Sequence, residues 1–326
     1  FQKCAQKSFC HRLRQSDADS NAPNKKSHYI IDSFTINDKN DEFTAKLIDP
    51  SSPSSPNGDL IMVINAHDSG IFRLRMREWT PNGLSDKLNR RYQVQDVLMS
   101  HVTPVSFTHN NKGEEEVVLT LQSSSLIISR GKANGPAFQL KLQVNGQDAF
   151  TINGDELLKV ESQFVKERED ATWEQARIKQ QEEEEQAKKK QEENKQEGDD
   201  SAATATTSTT TTPLPPKYEG EYALGIDFTF HGAKNVYGIP ERTTDLSLKA
   251  TRGKGVEQSE PYRMYNLDVF EYELQNPLGL YGVIPLLYSL KKGLAAGVLV
   301  LNPSESFVDI EVRDDKDTHA HWISEF

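Results

Sequence analysis

The feature that most constrains this chain is a two-residue alternation of apolar and polar side chains that recurs along its length. Phe43, Ala45 and Leu47 alternate with polar neighbours. Phe72, Leu74 and Met76 alternate with Arg73, Arg75 and Arg77. Phe138, Leu140, Leu142 and Val144 alternate with Gln139, Lys141 and Gln143, and Leu224, Ile226, Phe228 and Phe230 alternate with Gly225, Asp227 and Thr229. Successive side chains of a strand point to opposite faces, so each run predicts a half-buried β-strand. Short apolar runs at 60–64, 117–121, 126–128, 295–301 and 306–312 add further candidates. Asn145-Gly146 closes one alternating run, and both residues tolerate the positive φ of a tight hairpin. No helix–strand alternation occurs, which excludes a doubly wound sheet or a TIM barrel within these residues. The expected fold is mainly β, an antiparallel β-sandwich.

The composition is uneven. Residues 1–27 are polar and aperiodic and read as an irregular N-terminal arm. Residues 28–165 read as the first part of the sandwich and 218–326 as its second part. Between them, 166–217 is a charged, low-complexity insert. Its first 35 residues carry eight basic and thirteen acidic side chains, a net of −5, and a Ser/Thr-rich stretch ending in prolines follows. So polar a segment buries too little to offset its ordering entropy, so disorder is expected over roughly 170–215. A surface insertion of this length is tolerable because loop-closure entropy grows only logarithmically.

The net charge of −11 and pI of about 5.3 exclude a typical nucleic-acid binder and adhesion to anionic lipid. No apolar run reaches the ~18 residues of a membrane-spanning helix, so no membrane insertion is expected. No apolar signal-peptide core opens the sequence, so a secreted chain would be numbered from after cleavage. Neither standard phosphate-binding glycine loop occurs, and no cofactor is expected. Cys4 and Cys10 are the two cysteines. Their spacing suits a small local disulfide in an oxidising compartment, the other reading being two free surface thiols.

The densest candidate for chemistry is Tyr262-Arg263-Met264-Tyr265-Asn266-Leu267-Asp268. Aromatic faces interleaved with Arg, Asn and Asp suit a pyranose, and a carboxylate such as Asp268 accepts strong hydroxyl hydrogen bonds. The alternative is an edge strand whose turn is capped by Asp268. Tyr237-Gly238-Ile239-Pro240-Glu241-Arg242 reads either as a ligand-facing loop or as a structural corner with Glu241 on the surface. Asp227 and Glu241 form a weak candidate for the carboxylate pair of a glycosidase, since a strand aspartate usually faces solvent. His67-Asp68 and the His319/His321 pair raise the question of a metal, but no third ligand is evident and polar surface is the expected role. No metal site is expected. No Gly-x-Ser-x-Gly elbow supports a serine nucleophile.

The segment NVYGIPERTTDLSLKAT, followed by EPYRMYNLDVFEYELQNPLGLYGVIPLL, resembles the N-terminal domain of glycoside hydrolase family 31. The opening FQKCAQKSFCHRLR and the charged insert have counterparts in the two-subunit members of that family. The resemblance implies an N-terminal β-sandwich joined to a (β/α)8 barrel that holds both catalytic aspartates and retains anomeric configuration. It implies trimming of α-1,3-linked glucose from N-glycans in the endoplasmic reticulum lumen, with a β-subunit as partner and an N-linked oligosaccharide as substrate. It also implies that Asp268 contacts sugar, with Asn266 and Tyr265 as further candidates. The family's W-x-D-M-N-E nucleophile motif is absent from these 326 residues. No catalytic residue is therefore expected in this chain, and the C-terminal catalytic polypeptide is expected as a separate partner. A stand-alone carbohydrate-binding or scaffolding sandwich is the rival reading.

Overall fold

The computed structural model describes residues 3–18, 28–50, 59–79, 103–161, 177–179, 223–253, 256, 260–302, 304–313 and 317–325. The charged insert expected at 166–217 lies outside the described residues except for 177–179, which are helical.

The main elements among the described residues are one α-helix and seventeen strands. Helix α1 spans Ser8–Ala18. The strands are β1 Ile30–Ile36, β2 Glu42–Ile48, β3 Leu60–His67, β4 Ile71–Glu78, β5 Thr108–Lys112, β6 Glu116–Leu121, β7 Ser124–Ser129, β8 Gln139–Val144 and β9 Gln147–Ile152. They continue with β10 Lys159–Glu161, β11 Ala223–Phe230, β12 Val236–Gly238, β13 Tyr262–Met264, β14 Leu286–Lys291, β15 Leu294–Leu299, β16 Ser306–Val312 and β17 Thr318–Glu325. They form a four-stranded sheet, β1-β2-β3-β4, and a ten-stranded sheet in the order β13-β16-β17-β11-β9-β8-β7-β6-β5, with β10 beside β11. A small sheet, β12-β14-β15, completes the set. Neighbouring strands run antiparallel throughout, as the periodicity predicts.

The two larger sheets face one another across a single core. Phe43, Leu47, Met62 and Ile64 from the first sheet join Leu119, Ile128, Leu140, Phe228 and Trp322 from the second. In β2, Phe43, Ala45 and Leu47 are buried while their neighbours are not, as their alternation predicts. The β8–β9 hairpin turns at Asn145 and Gly146, with φ of 51° and 73°. The alternation is misleading in β11, where Asp227 and Thr229 are as buried as the apolar face. This strand lies centrally, paired with β17, β9 and β10, and its outer face is covered as well. The run at 295–301 largely falls in β15, which alternates between exposed and half-buried positions in the small sheet, with Leu294, Ala296 and Val298 packed against the core.

The N-terminal segment corrects the expectation of an irregular arm. It is a disulfide-stapled helix. Cys4 and Cys10 are bridged, and Phe9, Cys10 and Leu13 pack on Ala223, Phe307 and Ile323. The backbone N–H groups of Phe9 and Cys10 donate to the two carboxylate oxygens of Glu325 at 3.1 Å each. A carboxylate there satisfies donors that the first helical turn leaves open and matches the positive end of the helix dipole. Arg12 donates twice to Glu161 on β10, and Arg14 twice to Asp309 on β16. Gly225 lies directly beneath. A Cβ there would stand 2.8 Å from Leu13 Cδ1, so a side chain at this position would push the Leu13 methyl aside.

Candidate functional site

Strand β13 opens the segment that carries the densest candidate motif, and one arginine ties that segment to the turn after β12. Arg242 Nε donates to Ile239 O at 2.8 Å, Nη1 to Pro277 O at 2.5 Å and Nη2 to Arg263 O at 2.7 Å. Its guanidinium also lies 5.2 Å from the centre of the Tyr262 ring. Burial of the charge lowers its pKa to about 10. Tyr262 is fixed in turn, its hydroxyl accepting from Lys249 N and donating to Lys249 O, with burial raising its pKa. Glu241, in a segment read either as a ligand-facing loop or as a structural corner, is exposed, and its carboxylate accepts from Gly282 N at 3.0 Å and helps hold the same loop. At Gly238 φ is +112°, and a Cβ would stand 2.1 Å from Leu286 O, so the β12–β14 approach requires glycine.

From this base the chain runs outward. Arg263 is buried against Glu305 at 2.5 Å. Leu267 is buried, and its N–H donates to Leu280 O. Tyr265, Asn266 and Asp268, the three candidate sugar contacts, are exposed on the same short stretch. The Arg263 guanidinium lies 4.8 Å from the Tyr265 ring centre, which braces that ring from behind. No hydrogen bond or ion pair to the other described residues occupies the Asp268 carboxylate, so the alternative of a turn cap is not what this geometry contains. Phe270, Tyr272, Leu274, Tyr281 and Ile284 are all exposed close by in sequence, Phe270 at 94%. The motif pointed to Tyr265, Asn266 and Asp268. It did not point to Arg242, which stood only at the end of the 237–242 segment, nor to the apolar rim, whose FEYEL spacing mimics an alternating strand.

The other candidates part company. Asp227 is 1% exposed and accepts from Asp155 N and Leu157 N at 2.8 and 2.9 Å, so it does not face solvent. Burial raises its pKa to about 6. No contact joins it to Glu241. His67 is buried, with Nδ1 at 3.1 Å from Thr103 O. His319 and His321 share one face of β17, as their spacing requires, but both are buried rather than polar surface.

Comparison with known proteins gives this geometry a context. Residues 61–309 match the model for the glycosyl hydrolase 31 N-terminal galactose mutarotase-like domain. The chain is 35% identical over 344 residues to a neutral alpha-glucosidase AB of Dictyostelium discoideum, covering all of this chain and 35% of that protein. It is 30% identical over 325 residues to a probable glucan 1,3-alpha-glucosidase of Arabidopsis thaliana, covering 95% of this chain and 30% of that protein. The fold superposes with a TM-score of 0.70, at 24% identity, on the crystal structure of an ER glucosidase II heterodimeric complex of catalytic subunit and the binding domain of regulatory subunit. The match covers all of this chain and 34% of that one. The chain thus spans about a third of the length of the curated relatives it matches.

Proposed function

The chain belongs to the glycoside hydrolase 31 family, and on that premise we propose that it is the N-terminal part of a retaining α-glucosidase of the glucosidase II kind. Its 262–284 loop completes a sugar site whose catalytic carboxylates come from the C-terminal polypeptide. The carrying observation is the loop itself. Asp268 stands exposed beside Tyr265 and Asn266, on a base anchored by Arg242 and rimmed by exposed Phe270, Tyr272, Leu274 and Tyr281. Apolar exposure on that scale marks a surface that another domain covers. An exposed carboxylate in a stretch that also presents aromatic side chains supplies the acceptor that sugar hydroxyls need.

The substrate is an N-linked glycan carrying α-1,3-linked glucose, the place is the endoplasmic reticulum lumen, and the further partner is the β-subunit, which is the regulatory one. Support comes from the glucan 1,3-alpha-glucosidase and ER glucosidase II relatives and from a disulfide suited to an oxidising compartment. The test is Asp268→Ala in the assembled enzyme. A charged hydrogen bond is worth about 1.5–3 kcal/mol, so kcat/KM should fall about 10- to 100-fold with the melting temperature unchanged. Unchanged kcat/KM removes the role assigned to Asp268. Glucose release by the isolated chain would show that its own carboxylates are catalytic.

A further inference from the structure

One edge of the four-stranded sheet is left open. Strand β4 pairs with β3 on one side, and among the described residues no strand pairs with its other side. Trp79, just past its end, donates its N–H to Asp59 O on the β3 side. Main-chain groups alternate sides along an antiparallel strand, so those of Phe72, Leu74 and Met76 point to the open edge. The register with β3 is continuous from Ile71 to Glu78, with no bulge and no proline. A long regular edge is a template for another strand, and proteins commonly interrupt it, as β1 does with its register shift between Ile31 and Ser33.

The side chains divide this edge into two faces. Phe72, Leu74 and Met76 turn inward and pack against the core. Arg73, Arg75 and Arg77 stand on the other face, opposite Asn65, Val63 and Ile61 of β3. Arg75 donates to Asn65 Oδ1 at 2.8 Å and lies 3.7 Å from the Glu42 carboxylate. Arg73 and Arg77 make no side-chain hydrogen bond or ion pair to other described residues. Burial, and then the charge of Arg73, holds the Arg75 pKa below the ordinary arginine value, against the pull of Glu42. Three cations thus stand ~7 Å apart along one face of an open edge. Beside the end of the strand lies a cavity of about 140 Å³, its apolar side formed by Leu60, Met76, Val160, Ala223 and Leu224. A void of ~150 Å³ admits a benzene-sized group.

Edge, charge and cavity specify the same kind of guest. An added strand bonds to the main chain of Phe72, Leu74 and Met76, and its alternate side chains fall beside the arginines on one face and the apolar residues on the other. We propose that β4 docks an extended acidic peptide of a partner protein, which joins the four-stranded sheet as a further strand with carboxylates at every second position against Arg73, Arg75 and Arg77. The residues between those carboxylates are apolar, and the one beside Met76 enters the cavity. Opposite charges directly across a strand pair attract and like charges repel, so a basic peptide is rejected on the same register. The net charge of −11 disfavours an acidic guest over the rest of the surface, which confines it to this stripe. Strand β4 and the β13 loop belong to different sheets, and the docking edge does not depend on the role given to Asp268.

The test uses the full chain and a fluorescein-labelled synthetic peptide that alternates glutamate with leucine and matches β4 in length. Fluorescence anisotropy should rise to saturation. Hydrogen exchange at the amides of Phe72, Leu74 and Met76 should slow at least tenfold in the complex, with the β6–β7 hairpin unchanged. A peptide with lysine in place of glutamate should not bind. A peptide N-methylated at its leucines keeps every side chain but cannot donate to the edge, and it should bind at least tenfold more weakly. The same loss is expected for the original peptide with Arg73→Glu/Arg77→Glu. Absence of saturable binding overturns the proposal, as does protection that falls outside β4. Equal binding by the N-methylated peptide also overturns it, because the surface then reads charge alone. A chain that sediments as a dimer with these amides already protected assigns the edge to a second copy and overturns it too. Should the double variant not fold, the comparison of peptides on the wild-type chain decides.

Discussion

Replacing Arg242 with methionine should release the 262–284 loop while leaving the sandwich folded. The guanidinium makes three short hydrogen bonds to the carbonyls of Ile239, Pro277 and Arg263, joining the β12 turn, the 277 loop and the end of β13. Hydrogen bonds from a charged donor contribute about 1.5–3 kcal/mol each. Against them stands the cost of keeping the charge in a desolvated place. A pKa lowered from the ordinary arginine value to about 10 corresponds to roughly 3 kcal/mol. Methionine keeps much of the packing against Tyr262 but strands three carbonyls, so the net loss is about 3 kcal/mol, concentrated in this region. At about 1.4 kcal/mol per decade, opening becomes roughly a hundredfold more frequent. Hydrogen exchange read by mass spectrometry should show it at the N–H groups of Arg263, Leu267, Gln275 and Leu280, which bond to Pro277, Leu280, Thr243 and Glu241. Amides of the β6–β7 hairpin serve as the internal control. Wild-type exchange at the four loop amides would refute the assignment of Arg242 as the residue that anchors the loop, whatever happened to global stability.

Asp227 gives a pH prediction. Its folded pKa of about 6 exceeds the unfolded 3.8, so the stability it contributes is present below pH ~4 and is lost as pH rises through about 6, some 3 kcal/mol in all. Asp155 acts oppositely, its contribution disappearing as pH falls from ~4 towards about 2. Urea titrations between pH 4 and 7 should show Asp227→Asn flattening the wild-type decline, and an unaltered slope rules the account out. Reducing the Cys4–Cys10 bridge, or the Cys4→Ser/Cys10→Ser variant, should cost about 2 kcal/mol by the loop-entropy relation for so short a loop. Melting with and without reductant measures this, and identical curves would contradict it. Gly238→Ala should destabilise by more than about 2 kcal/mol, because Leu286 O blocks the new methyl and φ is unfavourable. Wild-type denaturation midpoints would disprove the steric reading.

Much of the architecture was legible because a half-buried strand writes its period into the sequence. Phe43, Ala45 and Leu47, and the Asn145-Gly146 turn, are read correctly for that reason. The period fails where both faces are covered. In β11 the polar Asp227 and Thr229 look solvent-facing, and the 153–158 loop folded against the strand, with Asp155 and Leu157 donating to Asp227, explains their burial. Helix α1 was missed because its apolar face is just Phe9, Cys10 and Leu13, too brief to stand out from a polar arm. At the candidate site, Tyr265, Asn266 and Asp268 were visible as residue types suited to sugar. Arg242 was not, because its partners are main-chain carbonyls, one in its own turn and two on later segments, and a carbonyl leaves no trace in the residue alphabet.

The clasp between α1 and Glu325 carries a cost in time. Its two hydrogen bonds span separations of 316 and 315 residues. A ribosome adds ~5–20 residues per second, so roughly 15–60 s pass between the synthesis of Phe9 and that of its partner. During that interval β11 also lacks β17, the neighbour with which it pairs along its whole length. The apolar side of α1 stays without its sheet, and Cys4 and Cys10 close their ring, or fail to, before anything holds them in place. In this protein the first residues made are among the last to find their seat.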